Sequence, residues 1–297
     1  GLQGLVDSST IEALNDLDHA KLQFAGIIPL DAMDARASEL ETEILGLGIQ
    51  LRSEVPIEGY SSHTPVKKKS TDWIKLNISE GEGSITVVKL IDNEKCAIGF
   101  TSGDLVFYDL ENYKALCGHR EHTGAISTME IAEICLKTKV GMQNKKILLT
   151  GGSENECSVL VWDLLSNEPL KRLSGHEHLI SSIIDLGDGA TIATASFDCK
   201  VAIWDVSENF NCIQLLEEPS SPILCLDFNR DDNILCTGGL DGTVNIWQVF
   251  YENGLYHGCA VKNKIKLGGH VIELSRSVNL PNMLVTLESD FTVRLYC

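Results

Sequence analysis

His176, Thr194, Asp198 and Trp204 fall within one stretch of 29 residues, and the first three are the residue types of a nucleophilic triad. A histidine between a hydroxyl and a carboxylate can take a proton from the one while the other orients it. A hydrolase is therefore the first chemistry to weigh. The sequence offers nothing to complete it. There is no G-x-S-x-G, no phosphate-cradling glycine loop and no H-E-x-x-H. Adjacent carboxylates such as Glu217-Glu218 and Asp231-Asp232 sit in loop-like text, a normal solvated arrangement.

The tryptophan argues for another reading, because it recurs. Ser158–Asp163, Lys200–Asp205 and Thr243–Gln248 each end a short apolar strand on Trp, at Trp162, Trp204 and Trp247. Thr292–Tyr296 ends the same way on Tyr296, and Asp104–Asp109 is a degenerate copy with Tyr108. Successive spacings from Trp162 onward are 42, 43 and 49 residues. A period near forty with such an ending marks a four-stranded propeller blade. A histidine, hydroxyl and carboxylate that keep this period and travel with Trp read as parts of a repeated blade, not as one active site.

On these residues, 72–297 resemble the WD-repeat family of β-propellers. The resemblance implies an all-β propeller of four-stranded blades, five of them detectable, joined to an N-terminal helical segment. It also implies that His176, Thr194, Asp198 and Trp204 form one hydrogen-bonded chain: carboxylate to imidazole, imidazole to hydroxyl, hydroxyl to indole. The His176-to-Trp204 spacing of 28 fits the family pattern.

The other copies depart from it. The Trp247 copy keeps Thr237 and Asp241 but has Pro219 where histidine is expected. The last keeps His270, Thr286 and Asp290, with a spacing of 26 to Tyr296. The Trp162 copy offers either His119 or His122, and Glu156 replaces Asp after a turn about two residues longer. The Tyr108 copy has Ser102-Gly103 and no histidine. On this reading only the Trp204 copy is complete. Five blades are fewer than the seven most usual in the family. Asp72–Ile78 is a candidate strand to complete the last blade and remove its open edge.

The elements that would position these residues follow from patterning. From Asp72 onward, Val-, Ile- and Leu-rich runs alternate with Gly, Asn, Asp and Ser clusters, as strands and turns do. Glu133 to Lys146 interrupts one blade between its first and second strands; it reads as a surface loop, locally basic through Lys137, Lys139, Lys145 and Lys146. Residues 54–71 read as an exposed linker with Pro56, Pro65 and Lys67–Lys69. Residues 1–53 form an acidic segment, helical over 10–53. Leu30, Met33, Ala37, Leu40, Ile44, Leu47 and Leu51 step by three and four, a coiled-coil seam broken near Pro29. That seam can pack on the propeller or oligomerise the chain.

Composition excludes several classes. A net charge of −18, shared by both halves, argues against nucleic acid, which selects basic surfaces. No apolar run nears the roughly 18 residues that span a membrane, and no signal peptide is visible. Ten scattered cysteines with no C-x-x-C pair read as buried, reduced thiols, neither disulfides nor a metal site. The expectation is a cytoplasmic protein, with the nucleus as alternative. Beginning at Gly1, it reads as a processed form or a fragment.

The functional expectation is a non-enzymatic scaffold without cofactor or metal, binding protein or peptide partners within a larger assembly. In the family, the residue before each turn acid faces the top of the propeller, which implies Phe197, Leu240, Ser289 and Asn155 as partner-contacting positions. Two alternatives remain open. One is the substrate-recognition part of a RING or B-box ubiquitin ligase; the other is an architectural subunit whose open propeller a partner completes.

Overall fold

The computed structural model describes residues 83–138, 141–153, 156–207, 210–276, 284–290 and 292–296. The helical segment 1–53, the linker 54–71, the candidate closing strand Asp72–Ile78 and Asn155 lie outside the described residues.

Among the described residues nineteen strands form five antiparallel sheets, each built from consecutive strands. The first holds β1 (Ile85–Leu90), β2 (Lys95–Phe100), β3 (Leu105–Asp109) and β4 (Lys114–His119). The second holds β5 (Ile126–Thr138), β6 (Gly141–Gly152), β7 (Ser158–Asp163) and β8 (Glu168–Ser174). The third holds β9 (Ile180–Asp185), β10 (Thr191–Ser196), β11 (Val201–Asp205) and β12 (Asn211–Leu216). The fourth holds β13 (Ile223–Asn229), β14 (Ile234–Gly239), β15 (Thr243–Glu252) and β16 (Leu255–Lys266). The fifth contains, among the described residues, β17 (Val271–Arg276), β18 (Leu284–Glu288) and β19 (Val293–Tyr296).

These are the blades expected from the period. The first strand of each packs on the first strand of the next, from β1 through β5, β9 and β13 to β17. No packing of similar extent joins β17 to β1 among the described residues. The second and third strands carry nearly unbroken apolar runs because neighbouring sheets cover both their faces; every residue of β10 is buried, for instance. The fourth strands are the exposed ones, as in β12. The core is therefore a series of apolar layers between sheets. One joins Ile147, Val159 and Ile180 with Trp204, and the next joins Ala195, Ile203 and Leu235 with Trp247.

A feature absent from the sequence reading is a pair of recurring β-bulges. In all five sheets the first and second strands slip register at the second residue of the first strand: Thr86, Ser127, Ser181, Leu224 and Ile272. In four sheets the third and fourth strands slip just before the repeated aromatic, at Tyr108, Trp162, Trp204 and Trp247. Bulges bend and twist a strand and re-aim its side chains. Two of the first set also tie sheets together: Thr86 Oγ1 donates to the Ile126 carbonyl at 2.6 Å and Ser127 Oγ to the Ile180 carbonyl at 2.5 Å.

The stretch from Glu133 to Lys146 is not the expected loop. β5 and β6 stay paired out to Thr138 opposite Gly141, a long hairpin. Its basic charge is partly answered: Lys145 bonds Asp163 at 2.7 Å and Lys146 lies 3.3 Å from Glu133. A second long hairpin joins β15 to β16 through Asn253-Gly254, both at positive φ (53° and 81°). That dipeptide is the preferred chemistry of a two-residue hairpin turn, since both positions must adopt positive φ.

Candidate functional site: polar chains and the turn face of the blades

The polar chain expected in the third sheet is present. The hydroxyl of Thr194 on β10 accepts from Trp204 Nε1 on β11 at 2.8 Å and lies 2.8 Å from His176 Nε2. His176 Nδ1 lies 2.7 Å from Asp198 Oδ2, in the turn between β10 and β11. The indole can only donate, so it takes an acceptor site of the threonine oxygen. The threonine proton then goes to Nε2, and Nδ1–H goes to the carboxylate. All four groups are satisfied without water. Burial pushes the Asp198 carboxyl up, but its contact with His176, with the backbone N–H groups of Glu177 and Lys200, holds it below its ordinary range.

The second sheet carries a complete chain as well, which corrects the expectation that only the Trp204 copy is whole. Trp162 Nε1 donates to Thr150 Oγ1 at 2.9 Å, which lies 2.6 Å from His122 Nε2. His122 Nδ1 lies 2.9 Å from Glu156 Oε2. The longer turn and the extra methylene of glutamate together bring the carboxylate to the same ring nitrogen. His119 instead packs on Trp162 and Phe107, with ring centroids 5.4 and 6.3 Å away. Desolvation, reinforced by the Arg172 charge, drives the His122 pKa down to about 3, with Glu121 opposing. Arg172 pairs with Glu156 and so cancels the carboxylate that would otherwise hold a proton on the ring.

The fourth sheet keeps its hydroxyl and acid but not the ring. Trp247 Nε1 reaches Thr237 Oγ1 at 3.4 Å, and Asn245 Nδ2 reaches the same oxygen at 3.3 Å. Asp241 bonds Thr243 and Lys266. In the fifth sheet His270, Thr286 and Asp290 are not brought together. His270 Nδ1 meets the Leu240 carbonyl, Asp290 bonds Thr292, and the buried Thr286 hydroxyl has no partner among the described residues. In the first sheet the register position of Thr194 is held by Ile98, and Cys96, Phe100, Val106 and Tyr108 make an apolar cluster around it.

The rings of His122 and His176 are committed to these chains. Thr150 and Thr194 are fully buried and committed to indole and imidazole. Among the described residues no group of three or more His, Cys, Asp or Glu could hold a metal ion. No described helix is long and apolar enough to cross a membrane.

Three of the positions expected to contact a partner share one backbone register. Phe197, Leu240 and Ser289 each donate their N–H to the carbonyl before the first strand of the same sheet, from Leu179, Pro222 and His270, at 3.0, 2.8 and 2.9 Å. All three side chains are half-buried. The same bond identifies Thr101, to Ser84, and Ser153, to Ala125, as their counterparts in the first two sheets. The position matching Phe197 in the second sheet is thus Ser153 and not Asn155. The longer turn hid this, because counting back from Glu156 lands two residues late.

The sequence profile of the WD domain, G-beta repeat, matches residues 167–205 and 210–248. Each match covers the outer strand of one sheet and three strands of the next, β8–β11 and β12–β15. The chain carries WD repeats. The "Periodic tryptophan protein 2 homolog" of Schizosaccharomyces pombe is 30% identical over 102 residues, 34% of this chain and 12% of that protein. The "Pre-mRNA-splicing factor cwf17" of the same organism is 25% identical over 145 residues, 48% of this chain and 38% of that protein. The "Nuclear distribution protein nudF" of Aspergillus niger is 32% identical over 105 residues, 34% and 23% of the two chains. The chain spans only a minor part of each relative, and their names differ widely.

Proposed function

We propose that this WD-repeat chain is a non-enzymatic scaffold that binds a protein or peptide partner across the blade ends bearing the turns between second and third strands. One observation carries the reading. At a single register position in adjacent sheets the turns present Phe197 and Leu240, apolar and only half-buried, where a turn gains little from an apolar side chain. Ser289, Ser153 and Thr101 extend the same row with hydroxyls. The histidine, hydroxyl and acid constellations that could have suggested catalysis are spent on holding Trp162 and Trp204. The names of the relatives fit work inside assemblies, and a pre-mRNA-splicing factor among them makes the nucleus at least as suitable a location as the cytoplasm.

The test is affinity capture with the wild type and with Phe197→Ser/Leu240→Ser, both checked for folding by circular dichroism. Loss of specific partners from the double variant is the expected result; an unchanged partner set overturns the reading.

A second reading, an architectural subunit with an open ring completed by another chain, has its own support. Apolar side chains stand exposed at both ends of the row of sheets: Val88 and Leu90 on β1, at 53% and 66%, and Val293 and Leu295 on β19, at 63% and 62%. A domain stabilised by burial normally covers such strands.

A further inference from the structure

The fourth sheet contains a cavity of about 270 Å³ lined by the counterparts of the residues that hold an imidazole in the third sheet. It is lined by Pro219, Thr237, Asp241, Asn245, Lys264 and Lys266 among others, and its outer lining residues Glu218, Ser220, Lys264 and Lys266 are solvent-exposed. Asn245 occupies the register position that Ala202 holds in the third sheet, directly opposite the threonine. Its side chain is 3% exposed, and its Oδ1 has no hydrogen-bond partner among the described residues. A buried amide oxygen left unpaired is costly, so an unmet acceptor lining a cavity points to a missing donor. Thr237 supplies the complement. Its oxygen accepts from both Trp247 and Asn245, which leaves its proton to donate.

We propose that this cavity is a receptor for a neutral histidine side chain presented by a protein partner. The Thr237 hydroxyl donates to the unprotonated ring nitrogen, and Asn245 Oδ1 accepts the N–H of the other. With Thr237 the ring makes in trans the contact that His176 makes in cis one sheet away, where Thr194, itself accepting from the Trp204 indole, lies 2.8 Å from the His176 ring nitrogen. The cavity is smaller than the usual range for drug-sized ligands, roughly 300–1,000 Å³, and suits one side chain better than a cofactor. It differs from the Phe197–Leu240 row in chemistry. It rests on the scaffold reading only in that the histidine comes from a partner.

The experiment titrates the intact chain with N-acetyl-histidine methylamide, following the indole N–H signals by NMR, with N-acetyl-alanine methylamide as control. The Trp247 signal is expected to move saturably at pH 8 while those of Trp162 and Trp204 stay fixed. Affinity should fall about tenfold or more in Asn245→Ala, the loss expected from one buried hydrogen bond. It should vanish in Pro219→His, which fills the cavity from within. It should also weaken as pH drops below about 6.5, because a protonated ring offers Thr237 no acceptor. No Trp247 response, an equal response to the alanine control, or binding that survives Pro219→His overturns the proposal; the first is the result for a cavity that holds only water. Should Pro219→His fail to fold, Asn245→Ala decides alone. Because the titration uses no partner, its outcome is independent of the affinity capture that tests the scaffold reading.

Discussion

The third and fourth sheets are built on the same plan, and one of their differences lies in a connecting residue. Entering β9 the chain places His176 between Thr194 and Asp198; entering β13 it places Pro219 between Thr237 and Asp241. The indole-to-threonine distance is 2.8 Å in the first and 3.4 Å in the second. The turn acid is answered by the ring in one and by Lys266 from the outer strand in the other. Both sheets nonetheless bury their tryptophan completely or nearly so, at 3% for Trp204 and 0% for Trp247. The comparison separates two contributions to a blade. Burial of the aromatic between sheets is common to both, whereas the directional polar chain belongs to one.

That separation sets the two largest expected effects. Trp204→Ala and Trp247→Ala should each destabilise by about 3–5 kcal/mol, since both empty the same kind of apolar site. Urea unfolding that showed one of them nearly neutral would remove burial as the shared term. Threonine should behave differently. Thr194→Val strands the Trp204 N–H and His176 Nε2 in a buried site, at about 2–3 kcal/mol. Thr237→Val loses only two long bonds and should cost under about 1 kcal/mol. Equal losses at the two threonines would mean that the intact chain adds nothing.

How far this contrast was legible in the sequence depends on the element. The period, the aromatic endings and the His176 set were readable because burial forces an apolar third strand and because the spacing of the chain's members is fixed by strand geometry. His122 was not distinguishable from His119, since a glutamate on a longer turn can meet either in linear text; only the fold places His119 on Phe107. His270 misled for the opposite reason. It lies 20 residues before Asp290, against 22 between His176 and Asp198, and its ring meets the Leu240 carbonyl instead. The bulges leave no composition signal, being a property of pairing between strands. The β5–β6 hairpin was mistaken for a loop because its lysines hid an extended pairing, although the partners Asp163 and Glu133 were in view.

Acid should expose the second sheet in a way the fourth cannot show. His122 has a folded pKa of about 3, below the ordinary histidine value near 6.5. Between those pH values the unfolded chain binds a proton that the folded chain refuses. Stability is therefore full above about pH 6.5 and falls as pH drops toward 3, by about 1.4 kcal/mol per unit from this group. Urea midpoints taken from pH 7 to 5 should show that slope, and His122→Gln should flatten it. Hydrogen exchange sharpens the comparison further: amides of β6 and β7 should lose protection across this range before those of β14 and β15. Loss in the reverse order would assign the acid sensitivity to another group.

The smallest effect tests the comparison most directly. Pro219→His asks whether the fourth sheet lacks only the ring. A histidine there gains hydrogen bonds to Thr237 and Asp241, each worth about 0.5–1.5 kcal/mol net. Against this stand the loss of proline's restriction of the unfolded chain, about 0.4–1 kcal/mol, and the displacement of Lys266 from Asp241, an exposed pair worth at most about 1 kcal/mol. The balance is a stabilisation of about 1 kcal/mol or less, visible as a small rise in the urea midpoint. The structural signature is independent of that number. With the Thr237 proton engaged, the Trp247 indole should close on the hydroxyl, and its N–H resonance should move downfield toward those of Trp162 and Trp204. A variant that folds with the Trp247 resonance unmoved would show that the two sheets differ in backbone as well as in one side chain.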